Sequence, residues 1–187
     1  HELVFEMINE RFADLVGRRT VLGKPVAQAL PELEGQGLFE LLDGVFQSGE
    51  AREGRNVRLQ LHTENGDLDT YYVDFLYMAL REPDGRVSGV LIHGIDVTER
   101  TRASLLATGQ RGALELAVSD APLGDVLDLL ARTAEDYAGG AVLAGIQLAG
   151  PGNALAHAAA PNLPEDLREV LDRIGTSPLG GAGGTAA

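Results

Sequence analysis

Polar and apolar positions change their period several times along the chain, and each change marks an element. Residues 3–8 (LVFEMI) are apolar enough for a short strand. Asn9 then precedes Phe12, Leu15 and Val16 at i, i+3 and i+4, which predicts a short helix capped by the Asn9 side chain and stopped at Gly17. A second helical piece is expected over 25–30, before Pro31. Leu38, Leu41, Leu42 and Val45 repeat at i, i+3, i+4 and i+7 and predict a helix ending at Gly49, a left-handed cap. The period then falls to two. Val57, Leu59 and Leu61 alternate with Arg58 and Gln60, Asn65-Gly66 marks a hairpin, residues 71–80 form a second strand, and Pro83-Asp84-Gly85 turns into a third.

The third strand switches abruptly into a charged helix at Asp96-Val97-Thr98-Glu99-Arg100. Thr98 is suited to cap that helix through its hydroxyl, and Glu99 suits its positive end. From 99 to about 119 the helix is polar and poorly striped, with Leu105, Leu106, Leu114 and Leu116 as anchors and a break expected near Gly109 and Gly112. A second domain is expected from about residue 120. Leu123, Val126, Leu127, Leu130, Ala134 and Tyr137 hold one helical face, with Gly139-Gly140 after them. Strands are expected over 141–148 and 154–160, joined by a turn at Gly150-Pro151-Gly152-Asn153, followed by a helix from Pro164 carrying Leu167, Val170, Leu171 and Ile174.

Residues 1 to about 100 resemble PAS sensory domains. The terminal Asp96-Val97-Thr98-Glu99-Arg100 resembles the PAC-type "D-[IV]-T-E-R" signature. Asn9, Leu22-Gly23-Lys24, Gly49-Glu50 and Pro83-Asp84-Gly85-Arg86 agree with the family in order and spacing. The resemblance implies an α+β fold, a five-stranded antiparallel sheet with short helices on one face. It also implies that Asp96, Thr98, Glu99 and Arg100 couple the last strand to an output helix. It places Leu42, Phe46, Val73, Phe75, Tyr77, Ile92 and Gly94 around a central pocket. That lining reads equally as a filled core or as a site for an unidentified small ligand. Residues 121–187 are similar to the start of a GAF domain, on the helix LGDVLDLLARTAEDY, the strand pair, Ala160-Pro161-Asn162-Leu163-Pro164 and the Gly/Ala-rich tail 181–187. Ala182 and Gly183 stand where related GAF sequences often carry serine and cysteine, so no role of that cysteine carries over. The expected organisation is a PAS domain over 1–98, a connector helix over 99–120, and a truncated, α/β GAF-like part over 121–187.

Composition narrows the function. There is no cysteine, which excludes disulfides, thiolate metal sites and a cysteine nucleophile, and is compatible with a cytoplasmic location. The net charge is −13. Residues 1–98 carry 17 acids against 9 bases, 99–120 three of each, and 121–187 eight against three. Acidic blocks repel phosphate backbones and anionic lipid, so neither nucleic acid nor direct membrane contact is expected. Residue 1 is histidine, no basic-then-apolar leader follows, and no uninterrupted apolar run is long enough to span a membrane, so the chain reads as a soluble fragment, with membrane tethering of its parent left open.

The histidines, His1, His62, His93 and His157, lie far apart and form no metal-binding spacing. His93 is expected as a packed or edge residue of its strand. Haem is not expected, because the helix over 38–47 offers no histidine. Nor is flavin: light-sensing relatives carry amide side chains where Val73 and Gly94 stand, and a photoreactive cysteine is lacking. The glycines at 180–184 lack the lysine of a phosphate loop. No catalytic constellation emerges. The resemblance therefore implies the input region of a multidomain sensor, foremost a histidine kinase, acting on a downstream effector and pairing as a homodimer through the PAS and connector helix. The input region of a diguanylate cyclase or phosphodiesterase, or a ligand-free interaction scaffold, are the alternatives.

Overall fold

Short amphipathic stretches followed by three long alternating ones leave the chain one economical arrangement, helices laid over one face of an antiparallel sheet. The computed structural model describes residues 3–149 and 155–175, and the side chains of these except at 155–157 and 171–175. The chain divides into two units, 1–101 and 102–187.

In the first unit, α1 (Glu10–Leu15) begins where the Asn9 side chain accepts the Phe12 N–H at 2.8 Å, as its spacing predicts. It ends before Gly17, which has a φ of +67° and lies against β1; a Cβ there would come within 2.8 Å of the His62 carbonyl oxygen. Next come α2 (Val26–Ala29), a 3-10 turn (Pro31–Leu33) and α3 (Leu38–Ser48), closed by Gly49 in the left-handed region at φ 69°. The sheet is an antiparallel meander in the order β1-β2-β3: β1 (Arg52–His62), β2 (Leu68–Arg81) and β3 (Val87–Asp96). The first two strands run longer than their alternating stretches alone indicated, and the third ends at Asp96 as the helix begins. The β2–β3 turn forms through a bond from Gly85 N–H to Glu82 O at 2.8 Å, and Asp84 accepts the Arg86 N–H at 3.0 Å.

The expected five strands reduce to three in this unit among the described residues. Residues 3–8 make only an isolated bridge, Val4 with Pro25, flanked by Phe5 N–H to Lys24 O and Val26 N–H to Leu3 O. Pro25 has no N–H to extend that ladder, and the chain enters α2 at Val26 and α1 at Glu10. The core lies between the helices and the sheet. Val16, Val21, Leu38, Leu42 and Val45 meet Leu59, Leu61, Val73, Phe75 and Tyr77.

The helix after β3 is α4 (Thr98–Val118), unbroken at Gly109 and Gly112, contrary to the expected interruption. The reason lies in the second unit. The α5 helix (Leu123–Tyr137) packs so closely that a Cβ on Gly109 would come within 2.7 Å of the Thr133 Cβ, and one on Gly112 within 3.0 Å of Leu129 Cδ2. These glycines admit a neighbouring helix, and their helical hydrogen bonds persist. The same packing covers the expected apolar face of α5 only in part, with Val126 and Leu127 half-buried. Ala131, Thr133 and Glu135 are buried, while Leu123, Leu130, Ala134 and Tyr137 are exposed. Buried Glu135 accepts the Ala144 N–H at 2.9 Å and the Asn162 amide. That bond holds 141–145 as a loop, so β4 (Ile146–Ala149) starts later than expected before pairing with β5 (Leu155–Ala159). The last element among the described residues, α6, spans Glu165–Gly175. The expected turn at 150–153 and the tail at 180–187 lie outside the described residues.

Candidate functional site

Two sets of residues are candidates, the apolar interior over the sheet and the junction where β3 becomes α4. In the interior, period-two alternation turns Val73, Phe75 and Tyr77 toward the helices, and all three are buried, as is Leu42 of α3. Phe46 and Ile92 are half-buried. Register pairs Tyr77 with Ile92 and Phe75 with Gly94, so Gly94 shares this face, although it is itself exposed. Phe75 also lies opposite Gly54 of β1, where a Cβ would meet the ring at 2.6 Å. The ring thus fills the space of the side chain absent at Gly54. Its centroid is 4.5 Å from that of Tyr77. Burial pushes the Tyr77 phenol up to about 12. Leu42, Val73, Phe75 and Tyr77 belong to one core cluster, with Ile92 packed against it.

Open space lies elsewhere. A cleft of about 640 Å³ runs between residue 3, the start of α2 and the first turns of α3, lined by Leu3, Pro25, Val26, Ala27, Gln28, Phe39, Leu42 and Asp43. Of the expected pocket residues it includes Leu42 alone. Sequence spacing could not have shown it, because its walls come from three segments that meet only in the fold. Histidine 93 is exposed, opposite Leu76 on β2. Among the described residues, no three His, Asp or Glu side chains gather to hold a metal ion.

At the junction, the structure brings together Asp96, Thr98 and Arg100 with partners on β2. The Asp96 carboxylate accepts the Thr98 N–H at 2.9 Å and so performs the capping expected of Thr98. The buried Thr98 hydroxyl is used sideways instead, accepting the Tyr72 N–H of β2 at 2.9 Å. Val97 N–H donates to the Tyr72 carbonyl at 2.8 Å, so both polar groups of one β2 residue hold the strand-to-helix transition. Arg100 reaches Asp74 at 3.1 Å, and Glu99 stands exposed. Asp74 also accepts the Asn56 N–H at 2.6 Å. That bond, ahead of the Arg100 guanidinium, holds its carboxyl below the usual aspartate range. The Thr101 hydroxyl, also buried, bonds the Asn56 side chain. Tyr72, Asp74, Asn56 and Thr101 were not expected here. The alternation that puts Tyr72 and Asp74 on β2 was legible, but their partners lie 26 residues away in sequence.

A three-stranded antiparallel sheet covered by short helices and left through a polar strand-to-helix junction defines an α+β signalling module. The family model described as the PAS fold matches residues 1–102. The chain belongs to the PAS fold family, whose role is sensory signalling. Among solved structures it is similar to the Vibrio cholera VqmA–ligand–DNA complex at 19% identity and a TM-score of 0.40, covering 52% of this chain and 42% of that one. It is also similar to VqmA bound to DPO, at 15% identity and a TM-score of 0.41, covering 73% of this chain and 71% of that one. The chain thus spans less than half the length of the first of these. No helix among the described residues is long and apolar enough to cross a membrane.

Proposed function

We propose that the chain is the input region of a cytoplasmic sensor, with a PAS module over 1–98, a signalling segment over 99–120 and the beginning of a GAF-like domain over 121–187. A change in the sheet is passed through α4 to an effector in the parent protein, foremost a histidine kinase. The observation that carries this reading is the bond from the Tyr72 N–H to the Thr98 hydroxyl, at 2.9 Å. Through it the first residue of α4 is tied to the central strand of the sheet, and a shift of β2 must move the helix or break the bond. Pairing of two copies along α4 is part of the proposal, supported by Leu114 and Val118, which are 68% and 87% exposed. Neither nucleic acid nor membrane is a direct partner in this reading.

Substituting Asp96 and Thr98 by alanine in the parent protein should leave the PAS module folded while output ceases to follow the stimulus. Output that follows it normally would overturn the relay. A ligand-free interaction scaffold is the second reading, favoured by the buried packing of Val73, Phe75 and Tyr77. Native mass spectrometry of the purified chain separates the two: a retained small molecule removes the scaffold reading.

A further inference from the structure

The start of α4 is held from a second direction, by β1. The register of β1 with β2 shifts between Gly54 and Val57, and Asn56 at that irregularity has a φ of 52°. Asparagine tolerates this left-handed conformation better than other non-glycine residues. The turn of the backbone there lets one residue reach two partners: its N–H meets Asp74, and its side-chain oxygen accepts from the Thr101 hydroxyl. Asp74 accepts Arg100 as well. An irregular residue of β1 thus grips Thr101 directly and the neighbouring Arg100 through Asp74 of β2.

Four residues further along, roughly 13 Å at strand rise, the same strand is gripped by the helical layer. The Gln36 side chain pairs with Gln60 as a strand would, accepting its N–H at 2.9 Å and donating to its carbonyl at 3.0 Å. Glu32 accepts the His62 N–H at 3.2 Å. These bonds occupy the edge of β1 that faces away from β2. A single strand therefore connects the segment after α2 to the beginning of α4.

We infer that β1 is a lever and Asn56 a positioning residue for α4: displacement of the Glu32–Gln36 side chains against Gln60 and His62 is delivered to the helix through Asn56 and Asp74. This deepens the relay proposed above and rests on α4 carrying the signal. It adds an input that bypasses β3. Bulges concentrate local twist and interrupt the ladder, so a strand moved along its length yields there first.

The test is amide hydrogen exchange on the whole 187-residue chain. Gln36→Glu keeps the acceptor for the Gln60 N–H and removes the donor to its carbonyl. Asn56→Gly keeps the left-handed backbone and the bond to Asp74 and removes the side-chain acceptor. Each should speed exchange of the amides of residues 101–104 by roughly three- to tenfold, the factor one net hydrogen bond is worth, with β2–β3 amides unchanged. With Asn56→Gly present, Gln36→Glu should add nothing at 101–104. If Asn56→Gly does not fold, Thr101→Val, which deletes only the hydroxyl, replaces it under the same criteria. Faster exchange confined to Gln60 in Gln36→Glu, or effects of the two substitutions that simply multiply, would overturn the lever. These rates need no effector. A chain that passes this test but whose Asp96 and Thr98 variants signal normally would retain the lever and lose the sensory reading.

Discussion

The backbone N–H of Tyr72 donates to the Thr98 hydroxyl at 2.9 Å, and the Tyr72 carbonyl accepts from Val97 at 2.8 Å. The central strand of the sheet therefore treats the start of α4 as a continuation of the ladder. Removing the hydroxyl alone leaves the Tyr72 N–H without its partner in a largely buried place. Thr98→Val should cost about 1–2 kcal/mol in urea unfolding, and Thr98→Ser less than about 0.5 kcal/mol.

Gly54 and Gly94 both lie opposite Phe75 in register, but the two glycines differ in room. A Cβ on Gly54 meets the ring at 2.6 Å, whereas on Gly94 its nearest neighbour is Val73 Cγ1 at 3.6 Å. Gly54→Ala should destabilise the first unit by about 1–3 kcal/mol through overpacking. Gly94→Ala should change stability by no more than about 0.5 kcal/mol. Thermal unfolding of the two variants checks the contrast.

Burial would raise the Glu32 carboxyl, but the Arg19 guanidinium and the His62 N–H outweigh it and hold the group below its ordinary value of 4.5. A lowered folded value stabilises the fold above that ordinary value, and the contribution is lost as pH falls through the lowered one. Glu32→Gln should cost about 1–3 kcal/mol at neutral pH. The variant should also lose less stability than the wild type on acidification. Urea midpoints measured across the acid range test both.

The Tyr77 phenol is raised by burial from 10.0 to about 12 and should ionise late. Because the fold favours its neutral form, its contribution to stability is complete below 10.0 and lost as pH rises toward about 12. Ultraviolet titration of phenolate should show a late component that Tyr77→Phe removes.

Locally encoded features of the fold were legible before any coordinates. Asn9 caps α1, Gly49 closes α3, Pro83-Asp84-Gly85 turns β2 into β3, and helix follows Asp96. Each depends on residues a few positions apart, so spacing and side-chain chemistry suffice. Burial of Leu42 was likewise readable from helical periodicity, while the inward face of Val73, Phe75 and Tyr77 was what the family resemblance implied. Periodicity did not reveal whether that face holds a cavity, since this depends on how the Phe75 ring settles over Gly54.

The chain by itself determined the order of the helices and of the three long strands, the α+β class and the strand-to-helix exit at Asp96 and Thr98, because these follow from propensity, capping and alternation. Only the tertiary structure decided that three strands form the sheet of the first unit among the described residues, that Thr98 bonds sideways to Tyr72, that Asn56 meets Thr101 from 45 residues away, and that Thr133 lies over Gly109. The physical reason is common to all four. A hydroxyl, an amide or a missing Cβ has no preferred partner along the chain, and folding supplies one by bringing distant segments within reach.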